Sequence, residues 1–169
     1  MLDINSKIIY GSNGVCRVAD IREESFGKKK GKYYILRPVN NEKSVIYMPA
    51  DRPELLKKVR PILSKEEIYD LIKVMPEKET IWIDDERERT EKYKAILESG
   101  VREELVKIIK TLYMKKQELA DCGKKLHICD EIIMQRAENM LYEEFAVVLD
   151  IKKEDVLPLI VSEIEKKDK

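Results

Sequence analysis

Apolar and polar residues alternate early in the chain and recur every three to four positions later, so strands should come first and helices follow. Residues 7–21 read Lys-Ile-Ile-Tyr-Gly-Ser-Asn-Gly-Val-Cys-Arg-Val-Ala-Asp-Ile, two β-rich runs about a four-residue turn. Gly11 and Gly14 permit positive φ and Asn13 tolerates it. With Ile8, Ile9, Tyr10, Val15 and Val18 beside them, the pattern predicts a hairpin. Two further strands are predicted over 32–39 and 44–49, separated by Asn40 and Asn41.

Helical spacing takes over near Asp51. Pro53 suits the first turn of a short helix, and Ser64-Lys65-Glu66-Glu67 has the spacing of a capping box ahead of Ile68, Leu71, Ile72 and Met75. Met75-Pro76 should end that helix, with 78–83, including Trp82, extended beyond it. A helix over 84–98 presents Tyr93, Ile96 and Leu97 and is closed by Gly100. Over 101–120, Leu105, Ile108, Ile109, Leu112 and Leu119 form one stripe, leaving Lys107, Lys110 and Lys115 on wetter faces. Gly123 supplies a stop. Residues 127–149 carry Ile133, Ala137, Met140, Leu141, Glu144, Phe145 and Val148 at helical spacing. A last helix over 153–166 turns Val156, Ile160 and Ile164 inward, with Pro158 in or near its first turn. The sum is a bundle of four or five helices.

A chain of 169 residues with this change of pattern predicts an α+β protein of two small domains, 1–60 and 61–169. Its 33 basic and 33 acidic residues balance overall but not locally: residues 1–60 hold 13 Lys and Arg against 7 Asp and Glu, leaving 20 against 26 in 61–169. No run of apolar residues is long enough to span a bilayer and no leader precedes the first strand, so a cytoplasmic protein is expected. Cys16, Cys122 and Cys129 lack the spacing of a disulfide framework and suit reduced thiols, with Cys16 a small core residue.

Little in the sequence points to catalysis. Cys122, His127 and Cys129 form a Cys-x4-His-x-Cys cluster, but three ligands within eight residues leave a zinc tetrahedron incomplete and lack paired Cys-x2-Cys arms. His127 is better read as a helix-start residue. There is no Gly-rich phosphate loop, no Gly-x-Ser-x-Gly elbow and no second histidine. Asp84 and Asp85 suit a helix start. Neither an enzyme nor a metal or other cofactor is expected.

Three segments carry a family likeness. Ile9-Tyr10-Gly11-Ser12-Asn13-Gly14-Val15, the strand end Tyr47-Met48-Pro49-Ala50 and the helix segment Tyr93-Lys94-Ala95-Ile96-Leu97-Glu98-Ser99-Gly100 together resemble the CarD/CdnL family of bacterial transcription factors. The N-terminal module of that family is shared with transcription-repair coupling factors. The likeness continues through 106–112 and 123–126 into the final helices. It implies a Tudor-like β-barrel or sheet, then an all-α helical bundle. It also implies a regulator that docks on the β subunit of RNA polymerase and contacts promoter DNA at the upstream edge of the bubble, modulating open-complex stability. No membrane and no small-molecule substrate are implied.

On that likeness the docking edge is expected at 44–48. Arg37, Val45, Tyr47 and Met48 are the polymerase-binding candidates and Tyr47 the anchor; the competing reading has Tyr47 filling the barrel core. The family sets a tryptophan four residues before the helix tyrosine as a wedge against the opened minor groove. Here that position is Arg89, and Trp82 stands seven residues earlier, where it is expected to pack between the domains. Arg89, Lys92, Lys94, Lys124 and Lys125 are the DNA-binding candidates. Because 61–169 carries a net negative charge, any DNA contact should be local, weak and dependent on the polymerase tether. The alternative is a polymerase-binding adaptor without productive DNA contact.

Overall fold

The computed structural model describes residues 2–167. It divides into two compact units, Met1–Ile62 and Leu63–Lys169. In the first, β1 (Lys7–Tyr10) and β2 (Val15–Phe26) form the expected hairpin around a 3-10 turn at Gly11–Asn13, with Ile9 opposite Val15. Gly14, at φ 77° and ψ −153°, holds a conformation that a Cβ would strain.

β2 continues beyond Ile21 to Phe26 and returns through Gly27 (φ 64°) into β3 (Lys29–Pro38). The lysine-rich tract is thus the tip of a long ribbon. Charge had hidden this extension, since Arg22, Glu23 and Glu24 offer no apolar alternation. They pair locally instead: Arg22 Nε lies 2.6 Å from Glu24, and Lys30 Nζ lies 3.5 Å from Glu23.

β4 (Ile46–Pro49) pairs with β3, and α1 (Pro53–Leu56) follows with Pro53 in its first turn. β5 (Val59–Pro61) then pairs with β1, a strand too short to show any alternation in the sequence. The sheet order is β4-β3-β2-β1-β5, antiparallel throughout, so β4 and β5 are its two edges. Ile8, Cys16, Val18, Tyr34, Leu36 and Met48 form the core on one face.

The second unit is helical, and the chain as a whole is α+β. α2 (Lys65–Val74) begins with the expected capping box: Glu67 N–H donates to Ser64 Oγ (3.1 Å) and Ser64 N–H to Glu67 Oε2 (3.0 Å). α3 (Glu86–Ser99) starts at Asp85, whose carboxylate accepts from Glu88 N–H at 2.8 Å, and Gly100 closes it in the left-handed region. α4 (Arg102–Asp121) ends in a Schellman motif, with Gly123 N–H on the Ala120 carbonyl (3.0 Å) and Lys124 N–H on that of Leu119 (2.8 Å). α5 (Ile128–Leu149) and α6 (Val156–Lys167) complete the unit, and Pro158 falls in the first turn of α6.

Two cores share α4 and α5. One gathers Ile68, Ile72, Val106, Leu141, Phe145 and Val156; the other gathers Tyr93, Leu97, Leu105, Ile108, Leu112, Ile133 and Ala137. Glu144, on the apolar stripe of α5, is buried with partners. Arg102 grips it from Nε (2.9 Å) and Nη2 (2.6 Å), and Leu63 N–H donates to it at 2.9 Å.

Burial pushes the Tyr93 and Tyr142 phenols up to about 12. A folded-state value above the unfolded one favours folding fully below the unfolded value of 10.0. From neutral pH to about pH 10 these two phenols should leave denaturation midpoints, followed by circular dichroism, unchanged, and the midpoints should fall as the pH rises toward about 12, with Tyr142→Phe reducing the fall.

Candidate functional site

Alternation along β4 decides which side chains it offers. Ile46 and Met48 stand opposite Leu36 and Tyr34 and face the core; Tyr47 stands opposite Ile35 on the other face. Met48 is fully buried, so its side chain is closed to a partner, and the expectation that it touches one is corrected. Neighbours on one strand cannot both point outward, and that period of two was already present in the sequence.

Tyr47 is 39% exposed and does not fill the core. Its ring meets Phe26 edge-on with centroids 5.1 Å apart, and Phe26 meets Tyr33 in the same way at 5.2 Å. Val45, just before β4, is also exposed. Arg37 is half-buried, with Nη1 donating to the Glu42 carbonyl at 2.7 Å, which pins the 39–45 turn beside the edge. Arg22 borders the cluster; its bond to Glu24 raises its pKa further, and a contact with Tyr47 adds to this. Phe26 and Tyr33 were not among the expected residues. Only the β2–β3–β4 register brings them to Tyr47.

In the second unit, the structure removes Arg89 from the surface. It is 2% exposed, and its Nε and Nη2 donate to both carboxylate oxygens of Asp130 at 2.9 and 2.8 Å. Nη1 donates to the Ile83 carbonyl at 2.8 Å. Every edge of the guanidinium is thus committed within the protein, and the DNA contact expected of Arg89 gives way to a structural role. Its bond to Asp130 raises the Arg89 pKa, against the cost of burial. The signal was its spacing: Arg89, Tyr93 and Leu97 lie four apart on the buried stripe of α3.

Trp82 lies on this buried pair. The Arg89 guanidinium is 4.2 Å and Lys115 Nζ 4.6 Å from its ring centroid, while the indole N–H donates to Asp84 at 2.9 Å. The indole packs on the α3–α4–α5 core. The same strap is held by Tyr93, whose hydroxyl donates to the Ile81 carbonyl at 2.7 Å. Thr111 Oγ1 accepts from Ile81 N–H at 2.9 Å.

Lys92, Lys94, Lys124 and Lys125 are exposed. Lys92 and Lys94 flank Tyr93 on α3, whereas Lys124 and Lys125 sit in the α4–α5 loop. That loop comes beside the start of α3, where His127 Nδ1 lies 3.7 Å from Glu86. His127 is the N-cap residue of α5. Among the described residues no group of three His, Cys, Asp or Glu side chains could hold a metal ion, and no helix is long and apolar enough to cross a membrane.

Residues 2–62 match the family model of the CarD-like/TRCF RID domain. No curated protein matches the chain.

The Arg89–Asp130 pair generates a stability prediction. Arg89→Ala or Asp130→Asn leaves one buried charge or its donors unmatched and should cost about 3–5 kcal/mol. Replacing both by apolar residues should recover most of that loss. Urea denaturation monitored by Trp82 fluorescence measures each variant.

Proposed function

We propose that this chain, whose residues 2–62 match the CarD-like/TRCF RID domain, is a CarD-like transcription regulator docking on the β subunit of RNA polymerase. A RID domain implies the polymerase partner.

The carrying observation is the β4 edge with its aromatic cluster. An edge strand leaves backbone donors and acceptors unpaired, so a partner strand can extend the sheet by main-chain hydrogen bonds. Tyr47, Phe26 and Val45 stand exposed beside it, and aromatics with a polar tip suit the centre of an interface. The opposite edge is less suitable: β5 has three residues and ends in Pro61. Arg37 holds the turn beside β4, and Met48 anchors that strand from within.

The second unit contacts promoter DNA at the upstream edge of the bubble through Lys92, Lys94, Lys124 and Lys125, and so modulates open-complex stability. These lysines neutralise phosphates without reading bases. Arg89 takes no direct part; it fixes the α3 surface that displays Lys92 and Lys94. The adaptor reading, polymerase binding without productive DNA contact, is favoured by one fact: the cation at the family's wedge position is sequestered by Asp130. No chemistry in either reading requires catalysis by this chain.

Two measurements test these parts separately. Tyr47→Ala in the full chain should weaken capture of the polymerase β lobe by about tenfold or more, read by biolayer interferometry; unchanged affinity removes β4 as the dock. Lys92→Glu with Lys94→Glu should leave that capture intact and shorten open-complex lifetimes in a salt-dependent manner. Unchanged lifetimes select the adaptor.

A further inference from the structure

Among the helices of the second unit lies a cleft of about 380 Å³. Its walls are apolar, drawn mainly from Ile109 on α4, Leu141 on α5, and Ile160 and Ile164 on α6, with Tyr142 and Glu138 of α5 also lining it. The volume lies near the lower bound of pockets that take small organic ligands.

Glu138 is the unusual member. Its side chain makes no hydrogen bond or close ion pair among the described residues, although it is half-buried and lines a mostly apolar cleft. Burial raises its pKa, opposed by the charge of Lys116. The cations nearby keep their charge but direct their closest contacts to other groups. Lys110, also on the lining, donates to the Pro76 and Lys78 carbonyls at 2.6 and 2.7 Å, and Lys116 lies 3.8 Å from Glu131. The lining thus carries one cation with two of its donors taken by carbonyls and one carboxylate without a bonded partner, so a ligand with an apolar body and one positive charge finds its acceptor at Glu138.

We propose that this cleft is a binding site for a small amphipathic ammonium ion, its hydrocarbon body among Ile109, Leu141 and Ile160 and its nitrogen on Glu138. The site lies wholly in the second unit and does not depend on polymerase docking. A ligand there bridges α4, α5 and α6, and so stabilises the helices behind the proposed DNA surface.

The probe is 3-phenylpropylammonium, titrated into the ¹⁵N-labelled full chain. Saturable shifts at amides lining the cleft are expected. The neutral 3-phenylpropanol, with the same body, should bind at least about tenfold more weakly. Glu138→Gln should bring the amine down to the alcohol's affinity, and Val161→Trp, at an exposed position on the lining, should block both. Equal binding of amine and alcohol to the unmodified chain overturns the proposal without recourse to any variant. So does the absence of saturable shifts. A dimer seen in sedimentation and abolished by Val161→Trp would assign the cleft to a second copy, and preferential binding of a lysine-bearing helical peptide would assign it to a protein; either result also overturns the small-ligand reading.

Discussion

A buried ion pair that is costly to leave half made organises the second unit. Arg89 and Asp130 meet through two parallel hydrogen bonds in a site closed to water, and loss of either partner strands a charge or its donors in an apolar interior. The pair ties α3 to the first turn of α5. Through the Ile83 carbonyl and the Trp82 ring it also fixes the segment that enters α3. That arrangement bears on function as well as stability. A cation locked to a carboxylate is not available to phosphate, so in the proposed function contact with nucleic acid falls to the lysines that α3 and the α4–α5 loop hold outward.

The first unit obeys a different constraint, the pleat of a short edge strand. One face of β4 completes the core with Met48, and the other leaves Tyr47 to assemble with Phe26 and Tyr33. The two units divide the proposed work in a physically consistent way. The positively charged sheet unit supplies an edge and an aromatic anchor, while the negatively charged helical unit has too little net attraction to hold DNA alone. Tethering raises the local concentration at which a few lysines act, so weak contacts suffice.

Local signals were legible in the sequence where they determine the backbone. The Gly-Ser-Asn-Gly turn, the Ser64–Glu67 capping box and the helix stop at Gly100 follow from spacing alone, and so does the inward stripe of Leu105, Ile108 and Leu112. What was illegible depends on partners far away in the chain. The spacing of Arg89 with Tyr93 and Leu97 places it on the buried stripe of α3, but its partner Asp130, on another helix, is known only from the fold. Phe26, Tyr33 and Tyr47 become one cluster only when two strand registers are known. β5 is three residues long and is defined by β1, not by its own pattern. Met48 is a different case: its inward direction was implied by alternation with Tyr47, and charge or family position was no guide to it.

The central claim is that the polymerase adds to the sheet at β4. Hydrogen–deuterium exchange of the full chain, with and without the polymerase β lobe, tests it at the level of the backbone bonds themselves. The account predicts new protection concentrated in the amides of 45–48, with β5 unchanged. Protection at β5, or a bound complex in which 45–48 exchange as in the free chain, would contradict it.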